Sequence, residues 1–160
     1  MIQVLFICLG NICRSPMAEA IFAHQVDNAG LSHTIKTDSA GTSNYHPGEL
    51  PDRRTRQILE SHGIKTTHLA RQILHSDFNN FDYILAMDHQ NLENLSRIYR
   101  QMKAPLAKLA LIGDYESAQN TPRAVPDPYY GELDDFETVY QMLEPACANL
   151  LKEIRQEHKT

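Results

Sequence analysis

The first sixteen residues constrain the fold more than any other stretch. Apart from Gln3, the segment Ile2 to Ile7 is an unbroken run of apolar, β-prone residues. It predicts a strand buried on both faces, as at the centre of a parallel sheet. The strand ends at Cys8, a short loop containing Gly10 follows, and Ser15-Pro16 opens a helix. Ser15 suits an N-cap and Pro16 the first helical position. A strand, a tight loop and a helix N-terminus bring orphan backbone N–H groups and the positive end of a helix dipole to one point, which makes an anion site. The loop Cys8-Leu9-Gly10-Asn11-Ile12-Cys13-Arg14-Ser15 begins with a thiol and has a guanidinium near its end, with five residues between. The thiolate is the nucleophilic form of cysteine, and a planar guanidinium fork fits two oxygens of a tetrahedral oxyanion. Together they suggest nucleophilic attack on phosphorus.

The string Cys8 to Ser15, completed by Pro16, resembles the signature loop of the low-molecular-weight phosphotyrosine protein phosphatases. Cys-x5-Arg alone is shared by other phosphatase folds and by one class of arsenate reductase. The N-terminal position, the second cysteine and the Ser-Pro helix start narrow it, and the resemblance extends over nearly the whole chain. It implies hydrolysis of phosphotyrosine in proteins, and of small aryl phosphates, with Cys8 as nucleophile and Arg14 holding the phosphate. It also implies that Ser15 donates a hydrogen bond to the thiolate of Cys8. Asn11, Ser15, Ser39 and His68 would form a supporting network. Asn11 itself suits a left-handed position in the loop. Without the resemblance, His68 reads as a surface histidine.

Such chemistry requires a group to protonate the leaving phenolate and later to deprotonate water. Two prolines restrict Asp127 in Val125-Pro126-Asp127-Pro128-Tyr129-Tyr130, and the family carries Asp-Pro-Tyr-Tyr here with the aspartate as general acid. Leu9, Tyr45, Tyr129 and Tyr130 are expected to wall a slot that grips a phenyl phosphate and is too deep for phosphoserine. The sequence departs from some relatives at His46-Pro47, so that loop is expected to set peptide preference. Asp88 reads most simply as a helix cap, and a carboxylate there also allows pairing with a basic residue near the site. Cys13 is either plain packing or the partner of Cys8 in a reversible disulfide that limits over-oxidation. Cys147 lies on the apolar face of the last helix.

The rest of the chain alternates strands with helices. Strands are predicted at Thr34–Ser39, Asp82–Met87 and Leu106–Ile112. Helices are predicted at Pro16–Asn28, Pro51–His62, Asp88–Met102 and Asp134–Glu157, the last kinked at Pro145, with a short capped turn at Ser76-Asp77. Gly113 to Tyr130 reads as a long loop. This alternation predicts an α/β three-layer sandwich, a parallel sheet with helices on both faces, and the resemblance implies four strands in the order 2-1-3-4. A single domain over 1–160 is expected, since no composition break or internal repeat divides the chain. Its sheet should bring Cys8, Ser39, Asp88 and the 113–130 loop to one carboxyl edge.

Composition removes several classes. A formal charge of −5 disfavours nucleic acid as partner, and no apolar run approaches a membrane span. Three cysteines, no signal peptide and a thiol needing reducing conditions predict a cytoplasmic protein. No metal or other cofactor is expected, because Cys8 and Cys13 lack a second ligand pair and the eight histidines are scattered. The expected partners are phosphotyrosine proteins and, in the site, phosphate or another oxyanion. A monomer or weak homodimer is expected. An arsenate reductase would need a shuttle pair of cysteines that Cys147 alone does not provide. A non-catalytic phosphate-binding module would not need Cys8, Arg14 and Asp127 together. A nucleotide P-loop lacks its Gly-Lys-Ser/Thr.

Overall fold

The computed structural model describes residues 1–115 and 124–160. Strand β1 (Ile2–Cys8) lies inside a four-stranded parallel sheet with β2 (Ile35–Gly41), β3 (Tyr83–Ala86) and β4 (Lys108–Leu111), in the order β2-β1-β3-β4. Val4, Leu5, Phe6 and Ile7 have no solvent exposure, which explains a run without polar alternation. Period two still operates within it. Val4, Phe6 and Cys8 join one core with α1 (Arg14–Asn28), α2 (Arg53–Ser61) and α5 (Leu133–His158). Leu5 and Ile7 join the opposite core with α3 (Asp77–Asn80) and α4 (His89–Gln101). Phe22 of α1 meets Phe6 edge to face at 5.6 Å between centroids, so the helix after the loop packs back onto the strand before it.

Several boundaries differ from the sequence reading for physical reasons. Helix α1 starts at Arg14 with Cys13 at the N-cap, and no side chain caps it. The hydroxyl of Ser15 turns inward to the loop instead, and the first-turn N–H groups keep their capacity for an anion. Pro16 still costs nothing in the first turn. Strand β4 is shorter than predicted. Leu106 is 75% exposed, and the N–H groups of Leu106 and Ala107 donate to the carbonyl of Phe78. Ile112–Tyr115 then forms a 3-10 turn, and 116–123 of the predicted 113–130 loop lies outside the described residues. Helix α5 continues through Pro145, so the missing N–H interrupts the ladder without ending the helix.

Parallel register carries the strand ends to one edge: Ile7 pairs with Ala40 and Ala86, and Cys8 with Gly41. Gly41 is required by a close approach. A Cβ there would stand 2.6 Å from the carbonyl oxygen of Leu9, so the end of β2 lies directly against the Cys8–Ser15 loop.

Candidate active site

The Cys8–Ser15 loop is held from outside through its carbonyls. Cys8 O accepts from Thr42 N at 3.0 Å, Leu9 O from Ser43 N at 3.0 Å and Ile12 O from Asp52 N at 2.7 Å. Cys13 O accepts from the hydroxyl of Thr55 at 3.2 Å. In a trans peptide the next N–H points the opposite way. Drawing these carbonyls outward therefore turns the N–H groups of Leu9, Gly10, Cys13 and Arg14 toward the hollow.

Asn11 makes this shape possible. Its φ of 58° is left-handed, a conformation asparagine tolerates better than most residues. Its side chain then uses its full hydrogen-bonding capacity. Nδ2 donates to the hydroxyls of Ser15 at 2.8 Å and Ser39 at 3.0 Å. Oδ1 accepts from His68 Nε2 at 2.7 Å and from Arg71 N at 3.0 Å. The Ser15 oxygen is thus an acceptor toward Asn11, which leaves its hydrogen for Cys8 Sγ at 3.0 Å. The structure brings Asn11, Ser15, Ser39 and His68 into one buried network. It also shows His68 not to be a surface residue, since its side chain is 7% exposed.

A second layer behind this network carries little sequence signal. Glu19, one turn along α1 from Ser15, accepts from the Ser39 hydroxyl at 2.6 Å and lies 3.1 Å from His68 Nδ1. Asp38 is 3.5 Å from the same nitrogen. Arg71 bridges Asp38 and Asp77. Burial pushes the carboxyl of Glu19 up to about 7 and the imidazole of His68 down. Since Asn11 Oδ1 is only an acceptor, His68 carries a proton on Nε2, and Nδ1 faces the carboxyl of Glu19. Glu19, Asp38 and His68 offer ligand atoms within 4.8 Å of one another, the spacing a metal ion needs. Arg71 already pairs with Asp38 among them.

Arg14 is almost fully buried, at 3% exposure. Its Nη1 donates to Asp88 Oδ2 at 2.6 Å and to Val125 O at 3.0 Å, while Nη2 lies 3.8 Å from Asp127 Oδ2. Burial works against its charge, but the neighbouring Cys8 and Asp88 outweigh it and raise the guanidinium's affinity for its proton. Asp88 therefore does both things its sequence position allowed. Oδ1 caps α4 by accepting from Asn91 N at 2.8 Å, and Oδ2 orients Arg14.

The loop opens into a cleft of about 240 Å³ bordered by the four expected wall residues, Leu9, Tyr45, Tyr129 and Tyr130, together with Ile12, His46 and Asp127. The Tyr129 and Tyr130 rings meet perpendicularly at 4.9 Å. Tyr130 is 95% and Tyr45 70% exposed, so both stand at the mouth rather than deep inside. His46 stands over Gly10, 3.3 Å from where a Cβ would be, and its Nδ1 is 2.7 Å from Glu49. Cys13 borders the cleft too, but burial pushes its thiol well above the ordinary range. Cys147 is wholly buried in α5. Cys8, Arg14 and Asp127 thus lie around a single hollow, with the saturated network behind Cys8.

Comparison with known proteins agrees with this arrangement. The sequence profile of the Low molecular weight phosphotyrosine protein phosphatase family matches residues 3–160, and the chain belongs to that family. It is 51% identical to the low molecular weight phosphotyrosine protein phosphatase of Schizosaccharomyces pombe, covering 96% of this chain and 97% of that one. Among solved structures it resembles a protein tyrosine phosphatase from Entamoeba histolytica, with 40% identity, full coverage of both chains and a TM-score of 0.89. It also resembles a Drosophila arginine phosphatase, with 37% identity, 96% and 98% coverage and a TM-score of 0.91.

Proposed function

We propose that this protein hydrolyses phosphotyrosine in proteins, and small aryl phosphates, through a phosphocysteine on Cys8. The observation that carries the reading is the hydrogen-bond chain from Asn11 through Ser15 to Cys8 Sγ, at the base of a cleft with Asp127 at its side. In the first step the Cys8 thiolate attacks phosphorus in line. The S–P bond forms as the P–O bond to the tyrosine oxygen breaks, and protonated Asp127 gives its proton to that oxygen. Arg14 and the inward N–H groups hold the three equatorial oxygens. In the second step Asp127, now a carboxylate, takes a proton from water as the water attacks phosphorus. Inorganic phosphate leaves, and the Ser15 hydroxyl stabilises the departing thiolate.

The aromatic border of the cleft supports an aryl group in it. The full-length likeness to an arginine phosphatase sets the competing reading, in which an N–P bond is cleaved. The two are separated by kcat/KM on a phosphotyrosine peptide and on the same peptide carrying phosphoarginine. Preference for phosphotyrosine, with a phosphocysteine trapped on Cys8 by acid quench, is the expected result. Preference for phosphoarginine would overturn the substrate assignment but leave the covalent step intact. An arsenate reductase is not favoured, since Cys147 is buried in α5 away from the loop.

The reading extends to circumstances. A nucleophilic thiol suits a reducing compartment such as the cytoplasm, and no helix among the described residues is long and apolar enough to cross a membrane. Binding of phosphate or a similar oxyanion in the loop and a monomeric or weakly dimeric state complete the proposal. Cys8 and Cys13 are both free thiols. Peroxide would convert Cys8 to a sulfenic acid, and Cys13 would then displace water to close a disulfide. Peptide mapping after peroxide treatment should find that pair, and sulfonic Cys8 in its place would refute it.

A further inference from the structure

We infer that Arg54 is a positioning residue that holds the loop bearing Asp127 in register with the loop bearing Cys8; this rests on the function proposed above. Arg54 was not marked by any motif, and it does not border the cleft. It lies in the first turn of α2, where Asp52 caps the helix by accepting from Arg54 N at 2.8 Å. The same carboxylate grips the guanidinium, accepting from Nε and Nη2 at 3.0 Å each. The backbone N–H of Asp52 donates to Ile12 O at 2.7 Å, which fastens this pair to the Cys8–Ser15 loop.

The outer face of the guanidinium reaches the other loop. Nη1 donates to Gly131 O and Nη2 to Tyr129 O, both at 2.9 Å. Its Cζ lies 4.3 Å from the Phe136 ring centroid and 5.9 Å from that of Tyr129, a cation–π contact made while both carbonyls are held, which a lysine would not reproduce. Tyr129 N in turn donates to Asp127 Oδ1 at 3.1 Å. One continuous chain of bonds therefore runs from Ile12 O through Asp52, Arg54 and Tyr129 to the carboxyl group proposed as general acid. Among the described residues, the segment it fixes has few other braces. Val125 anchors one end, through Met87 O and Arg14, and the α5 cap at Glu132–Asp135 anchors the other. The Asp127 side chain between them is 44% exposed.

A residue that acts through a general acid has a signature that general damage lacks. Proton donation matters most when the leaving group is a poor one. The experiment measures kcat/KM for phenyl phosphate and for dinitrophenyl phosphate in wild type, Arg54→Ala, Arg54→Lys, Asp127→Ala and the Arg54→Ala/Asp127→Ala double variant. Wild-type turnover of both substrates is the prior condition, and its absence would defeat the functional reading rather than this inference. Arg54→Ala is expected to lower kcat/KM about 10–100-fold on phenyl phosphate and less than about 3-fold on dinitrophenyl phosphate. Arg54→Lys should recover only part of the loss, because a point charge cannot hold both carbonyls. With Asp127 already Ala, removing Arg54 should change kcat/KM by less than about 3-fold. Equal losses on the two substrates, or an undiminished loss in the Asp127→Ala background, would overturn the inference.

Discussion

On one side of the cleft, the Asn11 side chain has all its hydrogen-bonding capacity satisfied by Ser15, Ser39, His68 and Arg71, and Ser15, Ser39 and Asn11 are buried to within 1%. On the other side, Asp127 and Tyr129 are 44% and 37% exposed, and the Arg54 guanidinium reaches the Tyr129 carbonyl from α2. The two sides perform tasks with different tolerances. Binding a tetrahedral anion in line with Cys8 requires fixed N–H directions, which a saturated, buried network supplies at no reorganisation cost. Delivering a proton requires a carboxyl that exchanges with water between the two steps and lets a large substrate enter. Precision at phosphorus is thus stored in buried hydrogen bonds, whereas precision at the leaving oxygen is kept in an exposed loop that Arg54 and Arg14 brace from two sides.

The largest effect should come from the buried side. Cys8→Ser is expected to abolish turnover, because a serine hydroxyl beside Ser15 has no thiolate to present, while phosphate or vanadate binding persists within about 3-fold, since the loop N–H groups and Arg14 are untouched. Single-turnover hydrolysis and calorimetric titration read the two quantities. Residual turnover near that of wild type would remove Cys8 as nucleophile and with it the division of labour between the sides.

Next comes the exposed side. Asp127→Ala should lower kcat/KM on a phosphotyrosine peptide by about 10²–10⁴-fold while leaving the affinity for inorganic phosphate nearly unchanged and stability within about 0.5 kcal/mol. A large loss of phosphate affinity would mean that Asp127, 3.8 Å from Arg14, shapes the anion site as well, and the two sides would not be separable.

Asn11→Ala reverses that pattern. It removes one hydrogen bond each from the hydroxyls of Ser15 and Ser39, the N–H of Arg71 and Nε2 of His68, and it puts alanine at a φ of 58°. Chemical denaturation should report a loss on the order of 2–4 kcal/mol, together with a fall in kcat of about 10–100-fold that is independent of leaving group. A stable Asn11→Ala protein with normal kcat would show that backbone bonds alone hold the loop.

What the sequence exposed divides along the same line. The strand–loop–helix at Cys8–Pro16 was legible because it depends on local chemistry in a contiguous motif, whereas the sheet order came from the family resemblance that this motif carries. Three features were not legible. Ser15 as a helix cap was misplaced, since a Ser-Pro helix start is chemically indistinguishable from a cap until the helix is seen to begin a residue earlier; its bond to Cys8 came from the family resemblance alone. Asp88 satisfied the cap rule so completely that pairing with a basic residue near the site stayed the weaker reading, and Arg14, 74 positions away, was not singled out as that residue. Glu19 and Arg54 left none at all, being ordinary charged residues in early helix turns whose partners lie on distant loops. Long-range polar pairing follows from the packed geometry and leaves no periodicity to read.

The smallest effect is a slope rather than a loss, and it tests whether Glu19 and His68 share one proton behind the loop. Burial raises Glu19 from 4.5 to about 7, so between those values the folded protein holds a proton that the unfolded chain has released. Stability should therefore fall as pH rises through that window. Burial lowers His68 below 6.5, so just below 6.5 the unfolded chain holds a proton that the folded protein lacks. Stability should therefore rise with pH toward 6.5. In the overlap the terms cancel, and folding only moves the proton from His68 to Glu19, with Asp38 and Arg71 facing the pair in both variants below. Urea unfolding of wild type between about pH 5.5 and 6.5 should be nearly flat. Glu19→Gln should expose the His68 slope, gaining stability with pH by on the order of 1 kcal/mol per unit, and His68→Gln should expose the opposite slope from Glu19. The opposed signs separate a shared proton from two independent groups. Parallel profiles for all three proteins would mean that the pair is held with fixed charges and that the buried side of the cleft has no titrating member.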